Sequence, residues 1–190
     1  MFRCQSIEVT SKILGWHVAC FWRQLFHEAF GKFPLMHVNG PAGSGKCLGK
    51  DTKVIMADGS IKLVQDVVSG DKLLGPDGSI RNVLSTTSGI EQLYRVIPNK
   101  GDSYVVNESH ILSLKKLGVT VNLPITEYLG LADPSEHLGW AVPGVFSGDL
   151  SYTTTSIMVE KLEVGEYYGF TLDGDHLFLL GDFTVTHNTE

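Results

Sequence analysis

Two hydrophobic rhythms divide the chain. Across residues 9–30, the apolar residues Ile13, Leu14, Val18, Phe21, Trp22, Leu25, Phe26 and Phe30 recur at three- and four-residue spacing. That period predicts a helix, and Gly31 follows as its stop. Residues 33–39 form a short apolar run that reads as a buried strand feeding Gly40. From residue 47 onward the rhythm shortens. Segments 52–56 and 60–64 flank Ala57-Asp58-Gly59, and segments 72–75 and 80–84 flank Pro76-Asp77-Gly78. Both are hairpin signals, because Pro presets φ and Gly supplies positive φ. Further short strands are predicted at 93–97, 104–106, 111–114, 167–172, 177–180 and 183–186. Residues 125–131 suit a short helix. The rest of 115–155 carries Pro134, Gly139, Pro143, Gly144 and Gly148 and reads as loop. The expected architecture is a mostly β body preceded by a fragment with one helix and one strand.

Composition narrows the reading. The 190 residues are 43% hydrophobic, with a formal net charge of −6. Basic residues form no long run, which argues against a nucleic-acid face built on bulk charge. The apolar stretch near residues 13–22 is too short for a membrane span and lacks a signal-peptide cleavage pattern. Cys4, Cys20 and Cys47 are odd in number and widely spaced, so no disulfide framework is expected. A reducing, cytoplasmic compartment fits better. No metal site is expected: His17, His27, His37 and His137 lack ligand spacing and read as ordinary structural histidines.

The sharpest feature is a phosphate-binding motif cut in two. Gly40-Pro41-Ala42-Gly43-Ser44-Gly45-Lys46 reads G-x-x-x-x-G-K and calls for Ser or Thr next. The next residue is Cys47. The completing hydroxyl is Thr189, preceded by His187-Asn188. Joining Lys46 to Thr189 restores G-P-A-G-S-G-K-T. The restored loop would cradle phosphate, with Gly40 and Gly45 in the turn, Lys46 on the β/γ-phosphates and Thr189 on Mg²⁺. The segment to be removed begins with a thiol and ends with an Asn that can cyclise. The expected organisation is therefore a host fragment over 1–46, an insert over 47–188, and the resumed host at 189–190.

The insert resembles the intein family of Hint protein-splicing domains. Cys47-Leu48-Gly49-Lys50-Asp51-Thr52-Lys53-Val54 is similar to the family's first block, and Asn107-Glu108-Ser109-His110 to its second. Residues 168–188, with His176 and the terminal His187-Asn188, are similar to the last two. The resemblance implies a horseshoe-like all-β Hint fold with pseudo-twofold related halves and adjacent termini. It also implies self-splicing. Cys47 attacks the Lys46 carbonyl, helped by Asn107 and with His110 as the acid for the leaving amine. Thr189 takes over the acyl group, and Asn188 cyclises with His176 and His187 assisting. Splicing itself then needs no cofactor, whereas the joined host would use ATP and Mg²⁺.

Two departures stand out. Asn107 replaces the family's usual Thr, and Gly169 stands where an acidic residue is common. Residues 115–155 are too few for a homing endonuclease, so a minimal form is expected. Its partners would be its own flanking segments, with no membrane, no nucleic acid and a monomeric state, in a phage, viral or microbial host cell. Two rival readings remain at this level. One is a Hint module that cleaves without ligating; the other is a nucleotide-binding domain with a β insert.

Overall fold

The computed structural model describes residues 46–188. The predicted helix over 9–30, the strand over 33–39, Gly40, Gly45 and Thr189 lie outside the described residues. Within them the body is mostly β. The strands are β1 (Leu48–Gly49), β2 (Lys53–Ile55), β3 (Ile61–Leu63), β4 (Lys72–Leu74), β5 (Ile80–Pro98), β6 (Tyr104–Asn107), β7 (Ile111–Lys116), β8 (Val119–Pro124), β9 (Gly139–Ala141), β10 (Thr153–Thr155), β11 (Ile157–Leu172), β12 (Leu177–Leu179) and β13 (Val185–His187). One helical turn, Ile125–Tyr128, follows β8. Among the described residues no helix is long and apolar enough to cross a membrane.

Two long strands organise the body. β5 has 19 residues and β11 has 16, and they pair antiparallel along nearly their whole length. The polar stretch Ser85-Thr86-Thr87-Ser88-Gly89 lies inside β5, bridging what hydrophobicity alone splits into two short strands. Its ladder partners on β11 supply the hydrogen bonds, so the strand needs no apolar face there. The main sheet runs β11-β1-β6-β5-β4, with β11 and β5 also paired directly. β1, β6, β5 and β11 thus close on one another, and the two-residue β1 is held between β6 and β11. Gly49 allows this close seat: a Cβ there would lie 2.6 Å from Val105 Cγ1.

The core is divided into two clusters, and three short strands serve both. Val54, Leu73 and Phe178 enter one cluster, while their neighbours Ile55, Leu74 and Leu179 enter the other. Successive side chains on a strand point to opposite faces. The adjacent apolar pairs Val54-Ile55, Leu73-Leu74 and Phe178-Leu179 are therefore the mark of strands buried on both sides. The predicted turns are present, with Gly59 at φ 85° and Gly78 at φ 77°. Asp58 Oδ1 accepts from the Ser60 amide at 2.9 Å, and Asp77 Oδ1 from the Ser79 amide at 3.1 Å. In the region read as loop, the structure adds β8, β9 and β10. They are held by ladder bonds to β7 and to each other despite their exposed or Gly-containing sequences.

Phe178 packs edge-on against Phe170, with ring centroids 5.0 Å apart, at the centre of the larger cluster. Phe178→Ala removes this buried ring and leaves a cavity that short strands cannot collapse around. The expected loss is about 3–5 kcal/mol in urea unfolding. A loss within experimental error would show that the larger cluster does not hold the body together.

Candidate functional site

The start of β1 carries Cys47 into the interior, where it is fully buried. Its backbone pairs with Asn107 at the end of β6. The Cys47 amide donates to Asn107 Oδ1 at 2.9 Å, and the Asn107 amide donates to the Cys47 carbonyl at 3.1 Å. The first of these bonds engages the N–H of the Lys46–Cys47 peptide. Asn107 thus reaches the amide of the Lys46–Cys47 peptide with its side chain. Gly169 on β11 lies directly against the thiol: a Cβ there would sit 2.5 Å from Cys47 Sγ. No side chain, acidic or otherwise, fits at position 169 unless the thiol moves. The departure at Gly169 therefore has a packing cause.

His110 lies three residues beyond Asn107, and its amide donates to the Asn107 carbonyl at 3.1 Å. The ring is fully buried, and its Nε2 is 2.9 Å from Thr186 Oγ1 on β13. Nδ1 is buried facing the Cys47 backbone, without a hydrogen bond of ordinary geometry among the described residues. Burial pushes the His110 pKa down to about 3, and the charges of His187 and Lys46 push in the same direction, while contact with the Cys47 backbone opposes. At neutral pH the ring is therefore a neutral imidazole, not the half-protonated acid that an ordinary histidine provides. Both ends of the β body are within electrostatic reach of this one ring.

The other end is formed by β12 and β13, with Leu177 opposite His187. His187 Nδ1 is 2.5 Å from the Asn188 carbonyl oxygen. A carbonyl can only accept, so this nitrogen carries the proton. The bond lies on the carbonyl that Asn188 shares with the following residue. The Asn188 amide donates to the His176 carbonyl at 2.8 Å, and the His176 ring centroid is 6.0 Å from that of His187. His176 has φ 63°, a left-handed backbone unusual for a residue with a side chain. Asn188 is buried, and its side-chain Nδ2 has no hydrogen-bond partner among the described residues. Buried polar groups are rarely left so.

The structure places Cys47, Asn107 and His110 together at the start of β1, and His176, His187 and Asn188 together at the end of β13, while His137 lies beyond β8. Two contributors are not evident from the sequence. Thr186 ties His110 to β13; its one clue is a Thr next to His187 in a strand buried throughout. Arg81 holds the loop before His176. It is itself buried, and it donates to Asp175 Oδ1 from Nε at 3.0 Å and from Nη2 at 2.8 Å. Nothing local in the sequence announces that pair, which spans 94 positions. Among the described residues no group of three His, Cys, Asp or Glu side chains gathers as a metal site.

Comparisons with known proteins bear on the fold. Residues 47–122 match the family model described as Hom_end-associated Hint. The fold is similar to the crystal structure of the gp41-1 intein, with TM-score 0.58 and 20% identity, covering 76% of this chain and 100% of that one. It is also similar to a DnaB intein from Synechocystis sp. PCC 6803, with TM-score 0.59 and 14% identity, covering 76% and 100%. In sequence, 50 residues are 40% identical to the catalytic subunit of the V-type proton ATPase of Candida tropicalis. That match spans 26% of this chain and 5% of the yeast protein.

His110 gives the site a pH signature. An unfolded histidine titrates near ~6.5, whereas the folded ring titrates at about 3. Between these values the unfolded chain binds a proton that the folded chain does not. The contribution to stability is thus complete above ~6.5 and is lost as pH falls toward 3. Urea midpoints should drop between pH 7 and pH 5, and drop less in His110→Gln. Equal slopes in both proteins would assign the loss to other groups.

Proposed function

We propose that the β body, a Hint domain with the intein fold, excises itself by protein splicing and joins Lys46 to Thr189. The observation that carries this reading is the convergence of the two junctions on His110. One side of the ring meets the Cys47 backbone, and the other meets Thr186, two residues before Asn188. A chemistry that cuts at both ends and joins the flanks needs this proximity, because holding reactants together is worth about 7–11 kcal/mol of barrier.

The steps follow from the groups in place. Cys47 Sγ attacks the Lys46 carbonyl carbon, and the C–N bond to Cys47 breaks. The thiol proton ends on the Cys47 amine, leaving a thioester at Lys46. Neutral His110 accepts and returns that proton. With a pKa of about 3 it holds the proton only briefly and delivers it as a strong acid. Asn107 Oδ1 accepts from the same nitrogen and favours its protonation in the tetrahedral intermediate, from which it leaves as an amine. Thr189 Oγ then attacks the thioester, the sulfur leaves as a thiol, and an ester forms.

Asn188 Nδ2 next attacks the Asn188 carbonyl carbon. A succinimide forms, the bond to Thr189 breaks, and the displaced proton ends on the Thr189 amine. The proton on His187 Nδ1 already points at the oxygen where negative charge grows, which supports an oxyanion role. Asn188 Nδ2 has no competing hydrogen bond among the described residues, as a nucleophile requires. The Thr189 amine finally displaces its own ester oxygen, giving a Lys46–Thr189 peptide bond. The joined loop Gly40 to Lys46 plus Thr189 would then bind ATP and Mg²⁺ in a host of the ATPase class. The likeness to a V-type ATPase catalytic chain fits such a host.

The test is intact mass over time on a chain with a tagged extension after Glu190. The expected result is one joined product and a released fragment spanning 47–188. Cys47→Ala should abolish joining while still permitting some release at Asn188. Asn188→Ala should stop at a thioester or branched ester that an added thiol resolves. Separate, unjoined flanks from the unaltered chain would favour a cleaving Hint module, and ligation by Cys47→Ala would overturn the mechanism.

A further inference from the structure

The carboxylate of Glu91 stands behind Asn107. Asn107 Nδ2 donates to Glu91 Oε2 at 2.5 Å, and Ser109 Oγ donates to Glu91 Oε1 at 3.0 Å. Asn107 is paired across the sheet with Leu93, two positions from Glu91 on β5, so Glu91 is its diagonal neighbour on the same face. Both carboxylate oxygens are engaged, which restrains the carboxylate from turning. We infer that Glu91 is a positioning residue for the first acyl shift, acting on the Cys47 nitrogen through the side-chain amide of Asn107. The inference rests on the splicing reading above.

The reason lies in the chemistry of an amide at this position. A hydroxyl can rotate to accept a hydrogen bond from the scissile N–H. An Asn side chain has an accepting end and a donating end of nearly equal shape. Flipped, it would aim Nδ2–H at the Cys47 N–H and Oδ1 at the nearest carboxylate. Donor would then face donor, and acceptor would face acceptor. Glu91 excludes the flip because its carboxylate only accepts. It also polarises the amide: a hydrogen bond given from Nδ2 to a charged acceptor strengthens Oδ1 as an acceptor. When Sγ adds to the Lys46 carbonyl, the Cys47 nitrogen takes up the thiol's proton and is cationic in the tetrahedral intermediate until the C–N bond breaks and a neutral amine leaves. The negative charge of Glu91, relayed through one side chain, favours that protonation. Asn107 touches the reacting nitrogen, whereas Glu91 does not.

The test isolates the first step. In a chain carrying Asn188→Ala and Thr189→Ala, added dithiothreitol releases residues 1–46 at the rate of thioester formation, read by mass. Glu91→Gln keeps the shape but not the charge, and should slow release by about tenfold, the scale of one charge-assisted hydrogen bond. Glu91→Asp should recover part of the rate. In an Asn107→Ala chain, Glu91→Gln should change nothing further. Release at Asn188, followed in a Cys47→Ala chain, should proceed at the same rate with and without Glu91→Gln. Undiminished thiol-dependent release in Glu91→Gln would overturn the inference, as would equal slowing at both junctions or a full tenfold loss without Asn107. If the parent chain with Glu91 intact yields no thiol-dependent release, the splicing reading itself falls, and the role of Glu91 with it.

Discussion

The rest of the structure depends on one arrangement: two segments far apart in sequence, at Cys47 and at Asn188, are buried on either side of the single ring of His110. The N-terminal segment is held by the reciprocal backbone and side-chain bonds between Cys47 and Asn107. The C-terminal segment is held by the His176 carbonyl on the Asn188 amide and by His187 on the Asn188 carbonyl. The hydrogen bond between His110 and Thr186 links the two halves of the site. A two-residue strand such as β1 has too few hydrogen bonds to stay in place alone. It stays because β6 and β11 flank it, and those strands are joined through β5. The long β5 and β11 arms are thus the frame on which a short reactive segment is suspended.

The chemistry is more legible in the sequence than the frame. Cys47, His110, His187 and Asn188 are singled out by residue type and order along the chain, and the structure buries all four. The hairpins at Asp58-Gly59 and Asp77-Gly78 are equally plain, because turn geometry is set by the residues in the turn. The length of β5 is hidden by Ser85-Thr86-Thr87-Ser88-Gly89, whose strand conformation depends on β11, distant in sequence. The same holds for β8, β9 and β10, where pairing overrides weak local preference. Thr186, Glu91 and Arg81 escape a sequence reading for a related reason. Each matters through a partner distant in sequence, and none has a residue type that signals its role alone.

The state of His110 shows how far burial can move a residue from its ordinary chemistry. Residue type suggests an acid working near its usual pKa. In the interior, desolvation and the neighbouring His187 and Lys46 make the charged ring costly, and the resting form is neutral. The same enclosure leaves Gly169 as the residue type that lets the Cys47 thiol sit where it does. Packing and protonation are therefore not separate properties of this site. Widening the space around the thiol would admit water, and water would return the histidine toward its ordinary range.

Enclosure also explains why so costly an arrangement is tolerable. His110 Nδ1, His176 Nδ1 and Asn188 Nδ2 are buried polar atoms without hydrogen bonds of ordinary geometry among the described residues, and each such atom ordinarily costs about 1–3 kcal/mol. A multiple-turnover enzyme must open its site to admit substrate and would solvate these groups at each cycle. In the proposed self-processing the reacting bonds belong to the chain itself, so no entry path is needed and the site can stay closed. Such a closed site would keep water from the thioester and ester of the proposed reaction until the next nucleophile arrives. The double-faced strands carrying Val54-Ile55, Leu73-Leu74 and Phe178-Leu179 supply apolar burial on both sides to offset the cost. On this view the divided core and the unsatisfied polar site are one design: the first supplies the stability that the second consumes.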